Sequence, residues 1–274
     1  MAHEKEEKLQ RILWLDTETT GLDHEVLRVL EIGWTVTDLD LDRDPTFVGV
    51  KALVLGSDPA ATRMGGDSRL DGMGDFVRDM HTKNGLLALC ADSPFNERNA
   101  ESAILFSMEN IERHYSAPIE WTLGGAGVST FDMRVLEKWF PNLHAKLTYW
   151  TYDVSVVRRY MRDIFGIEET EQFKSESHRV TEDVRLALNE AIHFKNMMSD
   201  MRQRADSWVE TAAGYAQNAD YWKRRYELAA GPVDDVDVSV PGRIVQIKGD
   251  PTAEDLAFYD GGHNDDFNST ENPA

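Results

Sequence analysis

The polar and apolar positions of the chain fall into a few clear periods. Residues 11–18 alternate as a strand does. Ile12, Trp14, Asp16 and Glu18 share one face, and Leu13, Leu15 and Thr17 share the other. Residues 20–23 make a turn, and residues 26–37 and 46–55 predict two further strands, so the chain opens as a meander. Residues 56–74 are rich in Gly, Asp and Ser and predict a loop. Helical spacing follows at Ile104, Leu105, Met108 and Ile111 within 100–115, then a short strand over 120–123 that the glycines of 124–127 interrupt. A helix from about Phe131 ends before Pro141; others follow Asp153 and begin near Val180. Strands first, then strands mixed with helices, predict an α/β domain whose mixed sheet is covered by helices.

The last third changes character. Residues 197–230 continue helically, with Met201, Ala205, Trp208, Ala212 and Ala216 near one face. Those apolar positions need a partner, either the preceding domain or a second subunit. Beyond Pro232 the chain is acidic and aperiodic and predicts a disordered tail, with a small hairpin over 238–247 as its one structured piece. The expected division is 11–198, a helical extension over 199–230, and the tail over 231–274.

Charge and cysteine content narrow the function classes. The net charge of the 274-residue chain is −20, which excludes a general nucleic-acid coat, since that needs a basic surface. The tail holds much of the excess: ten acidic residues, from Asp234 to Glu271, face only Arg243 and Lys248. The single cysteine, Cys90, excludes an intramolecular disulfide and a multi-cysteine metal site. The longest apolar runs, such as residues 86–90, are far shorter than a membrane span, and no signal-peptide pattern opens the chain. A cytoplasmic, soluble protein without membrane contact is expected.

Four acids stand where the patterns call for apolar residues. Asp16 and Glu18 continue the Ile12–Trp14 face of their strand, although a strand ending there would make them solvated turn residues. Asp132 falls four before Leu136, inside the stripe of Phe131, Val135, Leu136, Trp139 and Phe140; a dipole-favouring acid at a helix start is its simpler explanation. Asp183 interrupts the stripe of Val180, Val184, Ala187, Leu188 and Ala191, and His178 precedes it by five residues. Taken together, hard oxygen donors of this kind suit Mg²⁺ or Mn²⁺. Two such ions can activate water and stabilise the leaving oxygen of a phosphodiester, while a histidine takes the water's proton.

The ordered set Asp16-Thr17-Glu18-Thr19-Thr20-Gly21-Leu22, Phe131-Asp132, and His178 with Asp183 resembles the three motifs of the DEDD-type 3′–5′ exonucleases, in the branch that uses histidine. Within that group the chain is most similar to the oligoribonucleases, through residues 80–86 (Met-His-Thr-Lys-Asn-Gly-Leu) and through Tyr149 with Asp153-Val154-Ser155. The resemblance implies a ribonuclease H-like fold over about 11–198. It implies two divalent cations, Mg²⁺ or Mn²⁺, on Asp16, Glu18, Asp132 and Asp183, with His178 as general base. It further implies substrate contacts from Leu22, Phe76, His81 and Tyr149, with Tyr149 closing the site around a short strand across a homodimer. The expected substrate is a short single strand, RNA or DNA with RNA favoured, released as nucleoside 5′-monophosphates. Two alternatives remain: trimming of longer 3′ ends as proofreading domains and ribonuclease T do, and binding without catalysis.

Departures accompany the resemblance. The Asp-Thr-Glu-Thr-Thr-Gly run and Phe131-Asp132 are closer to proofreading domains; Phe76 stands where the family has Trp, and Trp150 stands where an Arg follows the tyrosine. Asp153 has a plain structural role open to it, as the cap of the next helix. Trp208, Tyr215, Trp222 and Tyr226 suit packing on a helix better than base stacking.

Overall fold

The computed structural model describes residues 8–56, 70, 72–168, 171–173 and 175–230. The expected tail and its hairpin, and most of the Gly-rich loop, lie outside the described residues. By contacts the chain separates into two units, Met1–Ser207 and Trp208–Ala274.

In the first unit five strands form one sheet in the order β3-β2-β1-β4-β5. The meander is real: β1 (Leu9–Thr19), β2 (Val29–Thr37) and β3 (Lys51–Val54) pair antiparallel in succession. The second and third strands start later than the alternation suggested, because the chain before each is a turn held by its own hydrogen bonds, such as Leu27 N to Asp23 O and Phe47 N to Asp44 O. β4 (Ile119–Gly125) joins β1 in parallel, and β5 (Leu147–Asp153) joins β4 in parallel. The connection to β4 is helical: α1 (Asp75–Lys83), α2 (Leu86–Asp92) and α3 (Glu97–Tyr115). The apolar run at 86–90 is thus a helix, since Gly85 takes a left-handed φ of 78° and starts it there. After β4 come α4 (Asp132–Trp139) and α5 (Pro141–His144); after β5 come α6 (Val154–Phe165) and α7 (Val180–Ala230).

The alternation of β1 divides the core. Leu13 and Leu15 point to one side and pack with Ala100, Ile104, Met108 and Ile111 of α3 and Val135 and Leu136 of α4. Ile12 and Trp14 point to the other and pack with Val154 of α6 and Val184, Ala187 and Leu188 of α7. At ~25 cal/mol per Å² of apolar surface, these fully buried side chains supply most of what drives the fold. α7 comes unusually near the sheet at Gly33, where a Cβ would stand 2.7 Å from Val180 Cγ2. Gly33 faces Asp16 across the β1–β2 ladder, so the absent side chain lets the start of α7 settle over the acidic end of β1. Gly33→Ala would force that helix away.

Trp208–Ala230, the part of α7 in the second unit, is an uninterrupted helix. Its residues through 225 are all exposed, Trp208 by 74% and Tyr215 by 72%.

Candidate active site

Asp16 and Glu18 lie inside β1, which runs on to Thr19, and are not solvated turn residues. They continue the face occupied by Ile12 and Trp14, and both are only partly exposed. Asp183 sits four residues before Ala187 on the buried stripe of α7, so the helix that covers Ile12 and Trp14 delivers a carboxylate to the same place. Carboxylate oxygens of Asp16, Glu18 and Asp183 all lie within 4.8 Å of one another. Asp132 opens α4, just beyond the end of β4, and is 2% exposed. Thr17 Oγ1 donates to its Oδ1 at 2.6 Å. The cluster therefore forms at the carboxyl ends of the paired parallel strands β1 and β4, the end at which open α/β sheets place their ligands.

Burial raises the pKa of these acids, and at Asp16 and Glu18 the charges of the other acids add to it. Asp16 is held well above the carboxylate range, first by loss of water and then by the charges of Asp132, Asp183 and Glu18. Glu18 is pushed to about 9 by burial and by Asp183 and Glu31, although Arg179 opposes this. Asp132 is raised to about 7 by burial, against the hydrogen bond from Thr17. Asp183 rises too, chiefly through burial. Asp16, Glu18 and Asp183, with oxygens within 4.8 Å of one another, form a hard-oxygen donor set whose charge repulsion a cation of +2 would relieve, which fits Mg²⁺ or Mn²⁺.

His178 stands at the exposed rim, five residues before Asp183, in a left-handed conformation with φ 47°. Two neighbours that sequence reasoning did not single out hold its backbone. Asn84 Nδ2 donates to the carbonyls of Ser177 (3.0 Å) and His178 (2.8 Å). Arg179 makes a two-pronged pair with Glu31 at 2.8 and 2.6 Å, and Glu31 is 1% exposed on β2, opposite Glu18 in the ladder. The one signal of Glu31 in the sequence was an acid between Leu30 and Ile32. Arg179 had none.

The remaining expected site residues fall into two groups. Leu22, Phe76 and Tyr149 are all strongly exposed, and Tyr149 stacks obliquely on Trp150 with ring centroids 4.3 Å apart. His81 is fully buried. Its Nε2 lies 3.2 Å from Thr19 O and 3.7 Å from Glu18 Oε2, and burial lowers its pKa, so the neutral ring donates to Thr19 and braces the end of β1 from beneath. Asp153 does cap α6, accepting from Ser155 N at 3.0 Å. It also accepts from Gly127 N and Ser129 N, which fixes the loop leading to Asp132. Against the cost of its burial, the bonds from Ser129, Gly127 and Ser155 keep its carboxyl below the usual range.

No protein-family model matches the chain. It is 30% identical over 217 residues to an oligoribonuclease of Leifsonia xyli subsp. xyli, covering 78% of this chain and 96% of that protein. It is 29% identical over 192 residues to the mitochondrial oligoribonuclease of Homo sapiens, covering 70% and 74%. Among solved structures, S. pombe Pop2p in its Mg²⁺- and Mn²⁺-bound form superposes with a TM-score of 0.46 at 10% identity, over 67% of this chain and 82% of that one. The E. coli exonuclease I complex with single-stranded DNA gives 0.45 at 15% identity, over 73% of this chain and 43% of that one, so the chain spans less than half of that enzyme's length.

Proposed function

The chain belongs to the oligoribonuclease family, and from that premise we propose that it is a metal-dependent 3′–5′ exonuclease. Its substrates are short single-stranded oligonucleotides, RNA ahead of DNA, and its products are nucleoside 5′-monophosphates. The observation that carries this is the convergence of Asp16, Glu18 and Asp183 within 4.8 Å, with buried Asp132 tied to Thr17 beside them. So acidic a cluster suits cations far better than it suits phosphate alone.

In this reading Asp16, Glu18, Asp132 and Asp183 hold two divalent cations, Mg²⁺ or Mn²⁺. Bound there, such ions supply an activated water and charge stabilisation at the leaving oxygen. Thr17 fixes the rotamer of Asp132. His178, at the rim, accepts the proton of the attacking water on a ring nitrogen. Leu22 and Phe76 offer exposed apolar surface to the terminal bases. His81 serves them from below, through Thr19 and Glu18, and does not need to touch the strand. The catalytic domain is 11–198, the helix over 199–230 is an extension, and the acidic 231–274 is a tail without a part in the chemistry.

A homodimer and a cytoplasmic location belong to the same proposal. β5 is an edge strand, and Tyr149, Trp150 and Tyr152 on it, with Val156, Tyr160 and Ile164 on α6, are exposed large apolar residues. A second copy seated there would bring Tyr149 to a neighbouring site. No described helix is long and apolar enough to cross a membrane.

The test is a digestion series from dinucleotides to long oligomers, with matched RNA and DNA and with Mg²⁺ or Mn²⁺. Fastest turnover of dinucleotide RNA, and none in chelator, is expected. Faster turnover of long strands than of dinucleotides would overturn the substrate class, and inactivity with both metals would overturn the enzyme.

A further inference from the structure

Residues 20–28, between β1 and β2, bring Leu22 to the surface, and the turn's own bonds do not fix where it stands. The stem is closed by Thr20 N to Arg28 O and by Arg28 N to Thr20 Oγ1, both at 2.9 Å. Beyond the stem, Leu27 is buried, while Leu22 and Val26 are exposed. The bonds of this outer part are local: Val26 N and Leu27 N donate to Asp23 O, and Glu25 N donates to Asp23 Oδ1. Bonds of that kind shape a turn without tethering it to the rest of the molecule.

The tether comes from α4. Lys138 Nζ donates to the carbonyls of His24 (2.7 Å) and Glu25 (2.6 Å). The guanidinium of Arg28 lies 4.5 Å from the centroid of the Trp139 ring. The His24 ring meets that of Phe131 with centroids 5.0 Å apart. Phe131 immediately precedes Asp132, and Lys138 follows it by two helical turns, so the turn is fastened at both ends of α4. Of the three contacts, the ring contacts set a distance but little direction. Lys138 supplies directed bonds, and a charged donor makes them stronger than a neutral one would.

We propose that Lys138 is a positioning residue that fixes Leu22 for the terminal base of a bound strand. The inference rests on the reading that Leu22 meets that base. α4 carries Asp132 at its start, so one helix sets both a cation donor and the base contact. The distance between phosphate and base is thereby built into one rigid piece, and small displacements of such a piece are costly. Asp132 keeps its own tie to Thr17, so freeing the turn leaves the acid in place. Loss of Lys138 therefore weakens the hold on the base and spares the hold on the phosphate.

Amide hydrogen exchange and ligand binding, both on the full-length chain in Mg²⁺, test this. In Lys138→Met the amides of residues 23–28 should exchange roughly tenfold faster than in wild type, with those of α4 unchanged. Wild type should bind adenosine 5′-monophosphate more tightly than ribose 5-phosphate. Lys138→Met should remove most of that preference and leave the affinity for ribose 5-phosphate unmoved, whereas a general loss of stability would weaken both ligands alike. Lys138→Arg, whose fork can reach two carbonyls, should restore both readouts. Unchanged exchange in Lys138→Met would overturn the tether. Faster exchange with the preference intact would overturn the positioning of Leu22. No preference in wild type would overturn the base contact itself, and the inference with it.

Discussion

Asn84 Nδ2 donates a 2.8 Å hydrogen bond to the carbonyl of His178, ninety-four residues further along the chain. A second bond from the same nitrogen reaches Ser177 O. His178 occupies a left-handed conformation that costs a residue with a Cβ ~1–2 kcal/mol. Two hydrogen bonds at ~1 kcal/mol each offset that cost and fix the backbone of His178 five residues before Asp183.

Asn84→Ala should therefore act through His178. A fall in kcat of roughly tenfold with little change in KM is expected. In a His178→Ala background, itself slowed by ~10²–10⁴-fold, the same change should cost almost nothing, because coupled residues fail to add. Equal losses in both backgrounds would mean that Asn84 supports the fold alone. Normal turnover of His178→Ala would instead remove the general base from the mechanism.

Each of Asp16→Ala, Glu18→Ala, Asp132→Ala and Asp183→Ala should abolish cleavage while leaving the fold intact, since in the proposed two-cation site each would remove a donor. Activity of the purified variants, with circular dichroism as the control, checks this. Full activity of Asp16→Ala or Asp183→Ala would end the two-cation reading.

The raised carboxyl pKa values fix the pH dependence of the metal-free protein. An acid whose pKa is higher folded than unfolded keeps its proton longer in the folded state. Stability is then full below the unfolded value and falls as pH rises towards the folded one. For Asp132 the window runs from 3.8 to about 7, and for Glu18 from 4.5 to about 9. Melting temperature in chelator should fall across this range. Asp132→Asn should flatten the lower part of the fall, and Mn²⁺ should reverse it. A flat profile in chelator would contradict the cluster's electrostatics.

Arg179→Ala leaves Glu31 buried without its partner and should destabilise the protein by about 3 kcal/mol. Glu31→Gln added to that variant should recover part of the loss, because the uncompensated charge is gone. Denaturant unfolding of the single and double variants measures both. No recovery would show that packing of Arg179, and not its charge, matters.

Truncation after Ala230 should leave dinucleotide hydrolysis unchanged at low and high salt. Faster hydrolysis at low salt, with the gain shrinking as salt screens the charges, would instead mean that the acidic segment competes with phosphates for the site.

Much of this protein could be read from local pattern. The alternation of 11–18 fixed both faces of β1, and the stripes around Asp132 and Asp183 placed acids on buried sides of helices, because period and burial are tied together residue by residue. β5 and the helices over 75–92 were not legible. β5 carries exposed aromatics on an edge and so lacks a clean alternation, and the helix over 86–92 is too short to distinguish from a strand by apolar content. What only the tertiary structure decided is how the acids meet. Gly33 admits the start of α7, the parallel pairing of β1 and β4 sets Asp132 beside Thr17, and Glu31 anchors Arg179 next to His178. These are contacts between segments far apart in sequence. No period in the sequence encodes them, since each depends on which backbone comes near enough to the other once the core has closed.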